Sequence, residues 1–182
     1  SSGFLPSTYA GVLFRNKGEP VLNLSNPPGA SSSIQRASLD ALRDLNGHRY
    51  SKIADQEIAS RIASYELAFR MQSAAPELID LSSETPETLN AYGVGRSRGD
   101  LTGDGRGGGS DAFDSFSRNC LLARRMVERG VRFVTMFLST WDDHSNLNSN
   151  LAYNCGISDQ PVAALLKDLK ARGLLDDTLV VW

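Results

Sequence analysis

Asp142 and His144 stand two residues apart in Trp141-Asp-Asp-His-Ser-Asn146. A carboxylate oxygen beside an imidazole nitrogen suits a divalent metal, zinc or manganese rather than calcium, because calcium prefers sets made only of oxygen. Side chains two apart on an extended segment return to the same side, so both can converge on one ion while Asp143 points away. Two ligands do not close a site, and the alternative reading of the same residues is a solvated loop that happens to hold two acids and a histidine. No nucleophile is legible, so catalytic residues stay unassigned.

The elements that must position this pair lie on either side. Val131-Arg-Phe-Val-Thr-Met-Phe-Leu138 contains neither Gly nor Pro and has the near-continuous apolar pattern of a strand covered on both faces, as in a parallel sheet. Ligands bind beyond the carboxyl ends of such strands, which is where the Asp/His cluster falls. Asn146 to Cys155 reads as a polar loop arching over the site. A helix follows, capped by Ser158 or Asp159, with Pro161 in its first turn and Val162, Leu165, Leu166 and Leu169 facing inward before Gly173. Thr178-Leu-Val-Val-Trp182 is then a second buried strand. The tail therefore reads β, loop, α, β, the right-handed crossover of a parallel sheet. Upstream, Phe113, Phe116, Cys120, Ala123 and Val127 recur at helical spacing from Asp111 to Arg129 and end at Gly130. Arg124, Arg125 and Arg129 sit in its last turns, where a cation favours the helix dipole.

The first half is helical with short extended pieces at Tyr9 to Phe14 and Pro20 to Leu24. Ser31 to Ser33 offer caps for a helix bearing Leu39, Leu42 and Leu45 and stopping at Gly47, with His48 an exposed bystander. A longer helix runs from about Ala54 to Ala74, discouraged from continuing by Pro76. Thr85 and Pro86 start a short helix that ends at Tyr92 and Gly93. Residues 93–110 are Gly-rich and read as a mobile surface loop. Within it Gly95-Arg96-Ser97-Arg-Gly99 matches the G-x-S-x-G of serine hydrolases but lacks the strand before and the helix after that the elbow needs. Asp100-Leu-Thr-Gly-Asp104-Gly105, with Asp111 at the twelfth place, loosely follows a calcium loop, although Gly107 stands where a β-branched residue is usual.

Composition narrows the function classes. With 41% hydrophobic and 22% charged residues the chain is ordinary globular material, and a formal charge of -2 gives no broad basic surface for nucleic acid. No apolar run approaches the roughly 20 residues of a membrane span, and the N-terminus has no signal-peptide pattern. Cys120 and Cys155 are too few for a disulfide framework and read as buried thiols. Two strong strands are too few to cover the helices, and the second stops at the last residue. The expectation is that residues 1–182 are a fragment of a single larger α/β hydrolase-like domain.

Five runs carry a family resemblance: Ser2 to Tyr9, Pro20 to Gly29, Ala63 to Leu78, Cys120 to Arg125 and Asp176 to Trp182. Together they resemble a large bacterial family known only as domain of unknown function 1501, itself similar to the alkaline-phosphatase superfamily and often labelled sulfatase-like. The resemblance implies a partial three-layer α/β fold, a parallel sheet flanked by helices, and a metal-dependent phosphate- or sulfate-ester hydrolase acting on a small-molecule or polysaccharide ester. It also implies a periplasmic or exported location. Trp141-Asp142-x-His144 matches the family's Trp-Asp-x-His pattern, with the Asp and His as metal ligands, while Ser139-Thr140 replaces the glycine common before the Trp. Further site residues are expected from a segment beyond Trp182 and a nucleophile from an earlier region, so the fragment is expected to be inactive alone. The alternative is an exported, non-catalytic binding or scaffold protein that keeps the hydrolase fold.

Overall fold

The computed structural model describes residues 10–15, 18, 21, 24–97, 99, 111–139 and 141–182. Among them are six helices and no strand: α1 (Ser32–Ile53), α2 (Gln56–Ile79), α3 (Pro86–Tyr92), α4 (Ala112–Glu128), α5 (Leu147–Ala171) and a 3-10 turn at Leu175–Asp177. The chain divides into two compact units, Ser1–Asp80 and Leu81–Trp182.

The first unit is a helical hairpin. Ser31 Oγ accepts from Ile34 N–H at 3.3 Å to open α1, and Asp55 Oδ1 accepts from Glu57 N–H at 2.9 Å to open α2. Both are side-chain caps for otherwise unpaired amides. α1 does not stop at Gly47. One glycine costs a helix interior only about 1 kcal/mol, and the helix runs on to Ala54, which takes a left-handed conformation at φ 55°. α2 likewise passes through Pro76 in its last turn, which removes only the one N–H that would reach the Gln72 carbonyl. The packing is thin: α1 buries no residue fully, and Leu42 and Leu45, expected inside, are exposed. Arg36 ties the pair together, donating to Glu66 at 2.9 Å and lying over the Phe69 ring. Gln72 Nε2 holds the preceding segment through Leu24 O at 2.7 Å and Asn26 Oδ1 at 2.9 Å.

The second unit has the better core. Phe113, Phe116, Cys120 and Leu121 of α4 interlock with Tyr153, Ile157, Leu165 and Leu169 of α5, and Tyr92 closes the end. Phe113 and Tyr153 meet edge to face at 5.3 Å. α5 begins eleven residues before the expected cap at Ser158 and contains Pro161 in its interior. The proline has no N–H for the carbonyl of Ile157. Arg96 supplies the missing donor, its Nη2 reaching Ile157 O at 3.2 Å and Gly156 O at 2.7 Å while its guanidinium lies over Phe113.

The α/β reading, with its alkaline-phosphatase-like layers and parallel sheet, is overturned, because neither expected strand forms a ladder among the described residues. β-propensity records how well a side chain fits a pleated surface already built by neighbouring strands. Here the neighbours are helices. Met136 and Leu138 pack against the helical core, whereas Phe133 and Phe137 are 88% and 82% exposed. The run predicted to be covered on both faces is thus covered on one. In the last segment Leu179, Val181 and Trp182 are also exposed. Most of the Gly-rich stretch 93–110, including the loose calcium-loop match before Asp111, lies outside the described residues, as does the first of the family-like runs.

Candidate metal centre

The segment that leads to Asp142 leaves α4 through a glycine turn. Gly130, at φ 79°, donates to Val127 O at 2.9 Å, and Val131 N–H reaches back to Met126 O at 3.0 Å, satisfying two terminal carbonyls and turning the chain away from the helix axis. The chain then runs along the core to Trp141, whose ring meets Trp182 edge-on with centroids 6.2 Å apart. Asn146, in the left-handed region at φ 51°, starts α5 at the other end of the loop. Asparagine adopts that conformation more readily than most residues.

Between Trp141 and the start of α5 the sequence-predicted pair comes together. His144 Nε2 lies 3.5 Å from Asp142 Oδ2, with the side chains 81% and 90% exposed. Two ligands about 2.1 Å from a tetrahedral zinc stand about 3.4 Å apart, so this separation fits a shared ion. It also fits an ion pair when the imidazole is protonated. Asp143 turns to the protein, where its Oδ1 accepts from the Asn150 amide at 3.0 Å. No group of three or more His, Cys, Asp or Glu residues placed to hold a metal occurs among the described residues. The pair is therefore half of a coordination sphere, open to solvent on its outer side.

The other candidates are not drawn into this centre. Ser97 is exposed beyond the turn that ends α3; in its motif, Gly95 N–H donates to Asp114 at 2.6 Å and Arg96 braces α5. His48 lies on exposed α1. Cys120 and Cys155 are free thiols, and burial pushes Cys120 up to about 12, which keeps it protonated and unreactive.

A larger electrostatic feature lies in the same unit. Arg124 and Arg125, expected in the last turns of the helix to favour its dipole, are only 3% and 5% exposed and are paired with acids. Glu84 accepts from both, from Arg124 at 2.6 Å and from Arg125 at 2.7 Å. Arg124 also meets Glu128 at 2.6 Å, and Arg172 bridges Glu128 and Asp168 at 2.6 Å each. Asp168 Oδ2 lies 3.1 Å from Arg124 Nε, an ion pair by distance but not aligned as a hydrogen bond, and accepts the Tyr92 hydroxyl at 3.0 Å. Burial pulls the Arg124 pKa down, but the bonds to Glu128 and Glu84 outweigh it and raise it overall. Tyr92 is raised as well, first by burial and then by the charge of Asp168. The i, i+4 pairs Arg124–Glu128 and Asp168–Arg172 are legible as spacing; the burial of Arg124 is not.

A family model described as protein of unknown function, DUF1501, matches residues 1–182. The chain belongs to DUF1501. No curated protein and no solved structure matches it. For this DUF1501 chain, no helix among the described residues is long and apolar enough to cross a membrane.

Proposed function

We propose that this DUF1501 chain supplies two ligands, Asp142 and His144, to the metal of a phosphate- or sulfate-ester hydrolase. The observation that carries the reading is the approach of His144 Nε2 to Asp142 Oδ2 at 3.5 Å, with Asp143 turned aside to Asn150. The mixed nitrogen and oxygen donors favour zinc or manganese over calcium. When bound, such an ion supplies Lewis acidity toward an ester oxygen. Asp142 and His144 would hold it, the carboxylate bringing a negative charge and the imidazole a nitrogen donor. The exposure of both side chains leaves the outer side of the pair accessible to a small-molecule or polysaccharide ester and to the remaining ligands. The resemblance to sulfatase-like proteins supplies the ester class and the exported location, and both belong to the proposal.

The protein is expected to hydrolyse an aryl phosphate or aryl sulfate when zinc or manganese is added. Asp142→Ala together with His144→Ala should abolish that rate. Unchanged turnover in the double variant removes the pair from the mechanism, and a metal-free, inactive wild type favours a non-catalytic binding protein.

A further inference from the structure

Independently of the metal reading above, we infer that α5 is two cooperative segments parted at Pro161, and that Arg96 is the latch holding the first of them, residues 147–160, closed. A proline inside a helix leaves the carbonyl four residues earlier without its amide donor. In α5 that carbonyl belongs to Ile157, which is fully buried, as is Pro161, so solvent does not reach it. An unpaired acceptor in such a place marks where the helix parts most easily. Arg96 meets the need from the turn after α3. Its Nη2 donates to Ile157 O at 3.2 Å and to Gly156 O at 2.7 Å, and its Nη1 donates to Gln160 Oε1 at 3.0 Å. These acceptors are neutral oxygens rather than a carboxylate, so a whole cationic fork is directed at the break.

The latch is anchored on the other two helices of the unit. Gln160 Nε2 donates to Asn90 O at 2.9 Å and to Ala91 O at 3.2 Å, at the end of α3. Gly93, at φ 76°, leaves room for that side chain, which a Cβ there would meet at 3.1 Å. From α4, Asp114 accepts the Gly95 N–H at 2.6 Å, and the Phe113 ring lies under the Arg96 guanidinium at 4.9 Å. The run Gly95-Arg96-Ser97, which matches a serine-hydrolase motif in sequence, thus works through its arginine and joins three helices. The segment it holds also carries Asn150, whose amide donates to Asp143 at 3.0 Å, so opening that segment releases the loop before it.

The test is amide hydrogen exchange of the purified protein, read separately for residues 147–160 and 162–171, in a cycle of Arg96→Ala, Pro161→Ala and the double variant. Arg96→Ala is expected to speed exchange in the first segment by about tenfold, the size of one hydrogen bond to a charged group, and to leave the second within about twofold. Pro161→Ala restores an amide donor to Ile157 O, so in that background the same Arg96→Ala change should speed the first segment by no more than about threefold. If Arg96→Ala does not fold, Arg96→Lys keeps a cation near Phe113 without the fork and should show the same segment-specific acceleration at smaller size. Equal acceleration of both segments would make Arg96 a general brace and overturn the inference. So would an Arg96 effect that Pro161→Ala leaves unchanged, or exchange in the Arg96 variants that matches wild type.

Discussion

Glu84→Gln probes the interior of the second unit most sharply. One Glu84 carboxylate accepts from two guanidiniums that are almost wholly buried, at 2.6 and 2.7 Å. Three arginines (124, 125 and 172) face three acids (Glu84, Glu128 and Asp168), so the cluster is neutral as it stands. The amide keeps one acceptor, turns the other into a donor facing a guanidinium, and leaves the cluster with an uncompensated positive charge. Removing one partner of a buried pair costs about 3–5 kcal/mol. Arg124 retains Glu128 and Asp168, so the lower end, about 3 kcal/mol, is expected. That is a large fraction of the roughly 5–15 kcal/mol that holds a domain folded. Urea unfolding followed by circular dichroism would read the loss, and amide exchange in α4 would assign it to this unit. The loss should persist in about 0.5 M salt, because buried pairs are poorly screened. A shift under about 1 kcal/mol, or one abolished by salt, would show that the network behaves as an exposed one and refute the argument.

Two further predictions concern other places in the fold. Ala54→Gly relieves the left-handed backbone at the α1–α2 junction and should stabilise the hairpin by about 1 kcal/mol in urea unfolding, since only glycine adopts that conformation without strain; destabilisation would count against it. At alkaline pH the folded protein holds the Cys120 proton to about 12 while the unfolded chain releases it near 9.0. Stability should therefore be intact below pH 9 and fall as pH rises, by about 3 kcal/mol at pH 11 from this thiol, with Tyr92 adding in the same sense. Cys120→Ala should flatten that dependence, and an unchanged slope would refute it.

Several features were legible because their chemistry is local. Thr85 and Pro86 open α3, Gly130 closes α4 and Gly173 closes α5, each through bonds made within a few residues. The early start of α5 was hidden because its inward positions are filled by Asn150, Asn154 and Ser158, which read as loop. Counted with Tyr153, Ile157 and Leu165 they form one helical stripe. The sheet was misread for a different reason. Val131 to Leu138 shows what the segment could bury, but whether a neighbouring strand exists is a tertiary fact that its own sequence does not contain. For the site, the two-residue spacing anticipated the approach of Asp142 and His144, while the bond from Asn150 back to Asp143 depends on a helix start that the polar residues concealed.

The most direct measurement is the zinc content of the protein after dialysis, with X-ray absorption to identify the ligands. One zinc per chain, with an imidazole nitrogen and a carboxylate oxygen in its first shell that both vanish in Asp142→Ala/His144→Ala, is the predicted result. Zinc absent from wild type, or retained in full by the double variant, would contradict the account.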